Sequence, residues 1–386
     1  MEVRKLFYED SHLRTFTATV LECVEGKGGY EIYLDATAFY PVGGGQPCDT
    51  GTLEDATVLS VTEENEKIIH LCNKPLTVGS TVTGTIDWER RLDHMQQHSG
   101  EHMVSGVIHQ RYGYHNVGFH MGADVVTIDF DGPVSQEALR EIEDTVNVAI
   151  WSNLPVKCWY PTEEELQKVP YRRKKDLPWP VRIVEIPGID ICACCGTQVK
   201  QTGEIGLVKL LSCVKFHEGV RIEMVCGKRA LHMLSQAYEQ NRLVSQAFSA
   251  KIGETGQAAC RMNEALSAEK FRSAGLEKRL FAYVAQGYAG KKLALHFEED
   301  LTPAANRELC DKIADYAQMA VTLSGNDTAG YSLCIISRTE DAKALGTEAA
   351  KALCGRGGGK KEAFQGSVSA TKQEIEQYFA RVCDNG

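Results

Sequence analysis

The sequence has no apolar run approaching the ~18 residues that a membrane-spanning helix needs. Its opening residues, MEVRKLFYED, carry too much charge and too little apolar length for a secretory signal. These two absences lead us to expect a soluble, cytoplasmic protein. A cationic surplus is missing too: Lys and Arg total 42 against 52 Asp and Glu, a formal charge of −10. Proteins that coat nucleic acid non-specifically are normally basic, so bulk coating is excluded while local basic patches are not. Nor is the chain depleted of hydrophobic residues, which make up 43% against 24% charged, so disorder is not expected. At ~100–200 residues per domain, 386 residues suggest roughly two to four units.

Cysteine is plentiful, at 14 residues, but most are scattered singly. In a reducing compartment such thiols read as small buried hydrophobes rather than disulfides. One group departs from that pattern: Cys192, Cys194 and Cys195 in ICACCGTQV. Three thiols in four residues suggest metal chemistry, with partner ligands elsewhere in the chain.

Residues 1–87 read as β, in short alternating runs such as TFTATVLECV, YEIYLDAT, ATVLSVT and KIIHLC. Among them FYPVGGGQPCDTG places three glycines where backbone can turn sharply or approach a ligand. Asp87 is positioned to cap a long helix over 88–113. Strand-like VVTIDF (125–130), a helix at 135–153 and strand-like PVKCWYP follow. A basic stretch (167–180) then leads to the strand VRIVEIPG before the cysteines. Residues 202–227 are again β-like, 228–287 helical, and the remainder alternates strand and helix, the pattern of a separate α/β domain.

On the helix, His98 and His102 stand four apart and therefore share one face, with His94 a turn earlier. Zinc favours mixed His and Cys ligands. Two imidazoles and one thiolate would give three protein ligands, with the fourth position open or weakly held, as in a catalytic site. HSGEH also fits the H-x-x-E-H signature of inverted zincin proteases, with Glu101 as general base. That alternative expects a carboxylate ligand downstream and gives the thiol cluster no role.

Taken together, these stretches resemble the AlaX proteins in their long form, free-standing homologues of the alanyl-tRNA synthetase editing domain. TAFYPVGGGQPCDTG resembles the family's glycine-rich motif, HSGEHMVSGVI its zinc helix, and CCGTQVKQTGEIG its second zinc motif. GVRIEMVCGKRAL resembles the segment that closes the editing domain, and GRGGGKKEAFQGSV the end of a DHH-associated domain. The likeness covers essentially the whole chain, in the family's order.

The resemblance implies an α+β multidomain protein with four parts. These are a small β-barrel-like domain (1–87), a zinc-containing α+β editing domain (88–227), a helical connector (228–287) and a C-terminal α/β tRNA-binding domain (288–386). It places zinc on His98, His102 and Cys194 and puts the family's fourth ligand, a histidine, at Gln198. A glutamine amide is a poor zinc ligand, so a three-ligand site, or one that recruits Cys192 or Cys195, is expected. Gly43, Gly44, Gly45 and Gln46 are implied at the substrate, with His120 to hydrogen-bond a serine hydroxyl. Glu101 lies outside the family's pattern and is carried both as a catalytic candidate and as a structural residue. For RNA, the candidates are Arg172, Arg173, Lys174 and Lys175, and, around the second glycine run, Arg356, Gly357, Gly358, Gly359 and Lys360.

The implied activity is hydrolysis of mischarged tRNA(Ala), chiefly seryl-tRNA(Ala) and also glycyl-tRNA(Ala). An active site for alanine cannot exclude glycine and rejects one added hydroxyl only weakly, so a second, hydrolytic site is needed. The non-enzymatic alternative is a tRNA-binding module whose metal site has decayed at Gln198. The connector helices fit either pairing in a homodimer or packing within one chain.

Overall fold

Apolar residues alternate with polar ones along Thr15–Gly26 (β1), and the same pattern recurs in five further strands of the computed structural model. These are Gly29–Leu34 (β2), Gly51–Leu53 (β3), Ala56–Glu64 (β4), Lys67–Cys72 (β5) and Thr81–Ile86 (β6). They close into a barrel in the order β1-β2-β5-β4-β3-β6. One face of each strand points inward, and Val20, Ile32, Leu53, Val61, Ile68 and Ile86 fill the interior. The structure describes residues 3–172 and 179–384. The chain divides into two units, Met1–Leu243 and Val244–Gly386.

Asp87 ends the barrel and begins the helix Trp88–Tyr112 (α1), its side chain accepting the Arg90 N–H at 3.2 Å. Gly113 stops the helix in the left-handed conformation, φ 71°. The start follows the Asp87 signal, and the helix ends one residue short of the expected 113. From His94 to Ile108 nearly every residue of α1 is buried, so its polar side chains need protein partners. Met95, Met103, Val104 and Ile108 pack in one core with Ile128, Ile142, Ile222 and Met224.

After Asn116–Met121 (β7), those last residues come from Val126–Phe130 (β8), the helix Gln136–Trp151 (α2) and a later strand. Lys157–Trp159 (β9), Ile183–Ile186 (β10) and Asp190–Ala193 (β11) form a three-stranded sheet. Val208–Phe216 (β12) and Gly219–Cys226 (β13) complete a four-stranded sheet of order β12-β13-β8-β7. A buried ion pair ties the barrel to α1. Arg91 Nε meets Asp49 Oδ1 at 3.0 Å, its other nitrogens reach the Ser11 and Ala38 carbonyls, and both side chains are 0% exposed.

The helical region is two helices, Gly227–Ala247 (α3), which runs across the unit boundary, and Thr255–Gln286 (α4). In the second unit Leu293–Glu298 (β14) pairs in parallel with Met319–Asn326 (β15), with Pro303–Ile313 (α5) between them in sequence. Gly330–Ser337 (β16), the helix Ala342–Ala352 (α6), Arg356–Lys360 (β17), Ala363–Val368 (β18) and the helix Lys372–Asp384 (α7) follow. The sheet order is β14-β15-β16-β18-β17. The second glycine run is thus an edge strand, exposed along its whole length. Among the described residues no helix is long and apolar enough to cross a membrane.

Candidate metal centre

α1 places His98 and His102 on one face with their rings 5.4 Å apart, both 2% exposed. Period-two alternation in β11 turns Asp190 and Cys192 to one side, and Cys194 continues that face just beyond the strand. The result is a group in which a nitrogen of His98, a nitrogen of His102 and the Cys194 sulfur all lie within 4.8 Å of one another.

Each ligand atom is aimed by a neighbour. His98 Nδ1 lies 2.8 Å from Gln46 Oε1, and its Nε2 faces the Cys194 sulfur at 3.3 Å. The Gln46 amide nitrogen donates to Thr197 Oγ1 at 2.8 Å, which fixes the amide's orientation and leaves its oxygen to accept from His98. His102 Nδ1 donates to Asp190 Oδ2 at 3.0 Å. Asp190 is held in turn by Arg172 Nε at 2.7 Å and its terminal nitrogen at 2.8 Å. An imidazole whose Nδ1–H is given to an acceptor offers its Nε2 lone pair, the arrangement that supports metal-bound histidines.

Burial would push the Cys194 thiol up, but the neighbouring His98 and His102 imidazoles outweigh it and hold the thiol well below its ordinary value. Burial opposes charge on His102 as well, yet Cys194 and Asp190 raise it well above the usual imidazole range. The sulfur therefore carries negative charge beside a protonated His102; a thiolate is the form that binds metal, and a metal would displace the His102 Nε2 proton. Two imidazoles and a thiolate at this spacing suit zinc, whose N and S ligands sit about 3.5 Å apart around a tetrahedral ion.

Gln198 does not complete the set. Ser99 accepts the Val199 N–H at 3.1 Å, so its hydroxyl proton goes to Gln198 Oε1 at 2.6 Å. The glutamine's oxygen is committed there, and its NH2 points toward the Cys194 sulfur at 3.8 Å. Cys192 groups with His102 and Asp190 but not with His98 and Cys194. Cys195 is exposed, and its carbonyl takes the Tyr8 hydroxyl at 2.9 Å. Among the described residues, the cluster holds three ligands.

The first glycine run acts through its turn. Gly44 and Gly45 have φ of 58° and 81°, and Gly43 and Gln46 exchange backbone hydrogen bonds across them. Both central residues at positive φ make a type I′ turn, which glycine adopts without strain. The turn delivers Gln46, 1% exposed, to His98. Gly196 lies against His98 so closely that a Cβ would fall 2.0 Å from its ring, and any side chain there would displace the ligand.

Other expected residues lie elsewhere. On β7 it is Phe119 that packs against His98, ring centres 5.2 Å apart, while His120 is exposed on the alternate face. Glu101 accepts Ser105 Oγ and Asn116 Nδ2, each at 2.6 Å, and is not one of the clustered ligands. That removes the general base from the protease reading. Arg172, expected at RNA, is instead occupied by Asp190, with only 9% of its side chain exposed. Arg173, Lys174 and Lys175 lie outside the described residues. Arg356, Gly357, Gly358, Gly359 and Lys360 form the exposed edge strand β17, away from the metal cluster in sequence and in a different unit. Asp190 is not singled out in the sequence, and Arg172 is read there as an RNA contact rather than as a support of the metal cluster. The signal was there, since Asp190, Cys192 and Cys194 keep a two-residue period.

Two family models match the chain. One, described as "Threonyl and Alanyl tRNA synthetase second additional domain", matches residues 181–223. The other, "tRNA synthetases class II (A)", matches residues 6–90. The alanyl-tRNA editing protein Aarsd1 of Rattus norvegicus is 28% identical, over 96% of this chain and 95% of its own length. Aarsd1-A of Xenopus laevis is also 28% identical, over 90% of this chain and 87% of its own. The alanine–tRNA ligase of Thermofilum pendens is 30% identical over 96% of this chain but only 42% of the ligase.

Proposed function

Because the chain belongs to the AlaX-like family of alanyl-tRNA editing proteins, we propose that it hydrolyses the aminoacyl ester of mischarged tRNA(Ala), chiefly seryl-tRNA(Ala) and also glycyl-tRNA(Ala). The observation that carries this reading is the His98–His102–Cys194 cluster with both imidazole Nδ1 groups tied down, by Gln46 and Asp190. These three residues would hold zinc, which when bound supplies Lewis acidity to polarise the ester carbonyl.

The chain's own residues do the rest. Asp190, fixed by Arg172, keeps the His102 proton on Nδ1, and Gln46 does the same for His98. The Gln198 NH2 faces the Cys194 sulfur and stabilises thiolate charge. Phe119 and Gly196 wall the cluster against His98 and limit the room for water. Serine recognition needs a hydrogen-bonding group that alanine leaves unused. With His120 on the other face of β7 and Gln198 committed to Ser99 and Cys194, we assign the role to the hydroxyl of Thr197, which accepts from Gln46 and keeps its own proton to give. The exposed β17, with Arg356 and Lys360, is the surface we assign to the tRNA backbone, and the connector helices α3 and α4 are where a homodimer would pair.

Deacylation of seryl-, glycyl- and alanyl-tRNA(Ala) by the full chain tests this. Serine release should exceed alanine release by at least about 100-fold and fall by at least about 100-fold in His98→Ala. Equal release of all three amino acids, or serine release that survives His98→Ala, would show the reading to be wrong.

A further inference from the structure

His94 stands one turn before His98 on α1, and a cleft of about 490 Å³ opens beside it. The elements that build the metal cluster also build this cleft. α1 gives His98 to one and His94 to the other, the glycine turn gives Gln46 and then Pro47, and β7 gives Phe119 and then Met121. Four helical residues advance about 6 Å, the length scale of a single nucleotide.

His94 is 3% exposed, and its buried Nδ1 has no hydrogen-bond partner. A proton there would be a buried donor left unsatisfied, so the favoured tautomer carries it on Nε2, the nitrogen that is not sealed off. Burial, reinforced by Arg90, pushes His94 down to about 4, so at neutral pH the ring offers an uncharged N–H. Arg90 is the second donor. Its Nε is spent on the Cys48 carbonyl at 3.0 Å, and among the described residues no acceptor holds its outer nitrogens. The carboxylate lining the cleft, Asp93, is neutralised by Arg229 Nε at 2.8 Å and also accepts Gln97 Nε2 at 3.1 Å. Arg229 is further fixed on the Gly122 carbonyl at 2.8 Å. Two guanidinium charges against one carboxylate that is already paired leave the cleft positive and lined with donors, which suits an oxyanion.

We propose that this cleft is a phosphate subsite, which, if the deacylase reading identifies the ligand, seats the phosphodiester of the RNA's 3′-terminal nucleotide while its ester lies at the metal cluster. Arg90 supplies the charge-assisted hydrogen bond and His94 a neutral one.

The test is equilibrium binding of an unacylated RNA hairpin of tRNA(Ala) acceptor-stem sequence to the full chain. A matched hairpin has its last phosphodiester replaced by an uncharged methylphosphonate. Arg90→Gln should weaken binding of the natural hairpin about tenfold, the size of one lost charge-assisted hydrogen bond, and His94→Phe about threefold. The slope of log affinity against log salt should flatten by about 0.7 in Arg90→Gln. Wild type should bind the methylphosphonate hairpin about as weakly as Arg90→Gln binds the natural one, and neither variant should weaken it further. Arg90→Gln weakening both hairpins equally, or neither, would overturn the proposal, as would inorganic phosphate raising the melting temperature while both hairpins bind wild type alike. His94→Phe preserves the buried volume, so it carries the test if Arg90→Gln does not fold. Since the hairpin bears no ester, loss of the phosphate effect with serine release intact refutes the subsite alone. Absence of serine release with the phosphate effect intact refutes the deacylase reading alone.

Discussion

At the scale of single residues, the site depends on groups that never touch a metal. Asp190 accepts the His102 proton and is clamped by Arg172, while Gln46 does the corresponding work for His98. Removing such a support typically costs 10–100-fold in metal affinity. Asp190→Asn keeps the shape but offers an amide where a carboxylate held the imidazole, and Arg172 loses its counter-charge. Zinc affinity measured by competition with a chelator should fall by about 10-fold or more, and unchanged affinity would refute the orienting role. The two histidines and the cysteine could be read from their spacing, and Gln46 from its place after the glycines. Arg172 could not. Its basic neighbours in YRRKK suggest a solvent-facing patch, and only the backbone pairing of Arg172 beside β11 brings its guanidinium to Asp190.

Among the elements, α1 matters most because it is buried between the barrel and two sheets. Arg91 and Asp49 fix its start, and Asp49 also accepts the Tyr40 N–H at 2.6 Å, beside the glycine turn. Breaking a buried pair from one side leaves an uncompensated charge, at about 3–5 kcal/mol. Arg91→Met should therefore lower the stability of the first unit by about that amount in urea unfolding, and a loss below about 1 kcal/mol would contradict the role given to the pair. The helix itself was legible in the sequence because Asp87 marks its start, and Gly113, the last residue of the expected span, is where it stops. β17 was not, since Arg-Gly-Gly-Gly-Lys has almost no strand propensity and pairs only because β18 supplies the ladder. α7 went unread too, although Ile375 and Phe379, four apart, are buried in the core of the second unit.

At the scale of the whole molecule, acid should weaken the barrel. His70 is fully buried, donating Nδ1–H to the Ile32 carbonyl at 3.0 Å and accepting the Thr37 hydroxyl at 2.8 Å on Nε2. Burial pushes it from 6.5 down to about 4. The folded-state value is the lower one, so its stabilisation is complete above pH 6.5 and is lost as pH falls toward 4, in total roughly 3 kcal/mol. Wild type should lose more stability between pH 7 and pH 4.5 than His70→Gln, and parallel profiles would exclude this group. The division into two units, one with the barrel and the His98–His102–Cys194 cluster and one with the exposed edge strand, would give the proposed hydrolysis and the proposed RNA contact separate folds. The central claim is that three protein ligands hold the zinc that makes this an ester hydrolase. It is tested most directly by stripping the protein with a chelator and following serine release from seryl-tRNA(Ala) as zinc is returned. Activity should vanish on stripping and return fully at one zinc per chain. Undiminished hydrolysis by protein shown to be free of metal would contradict it.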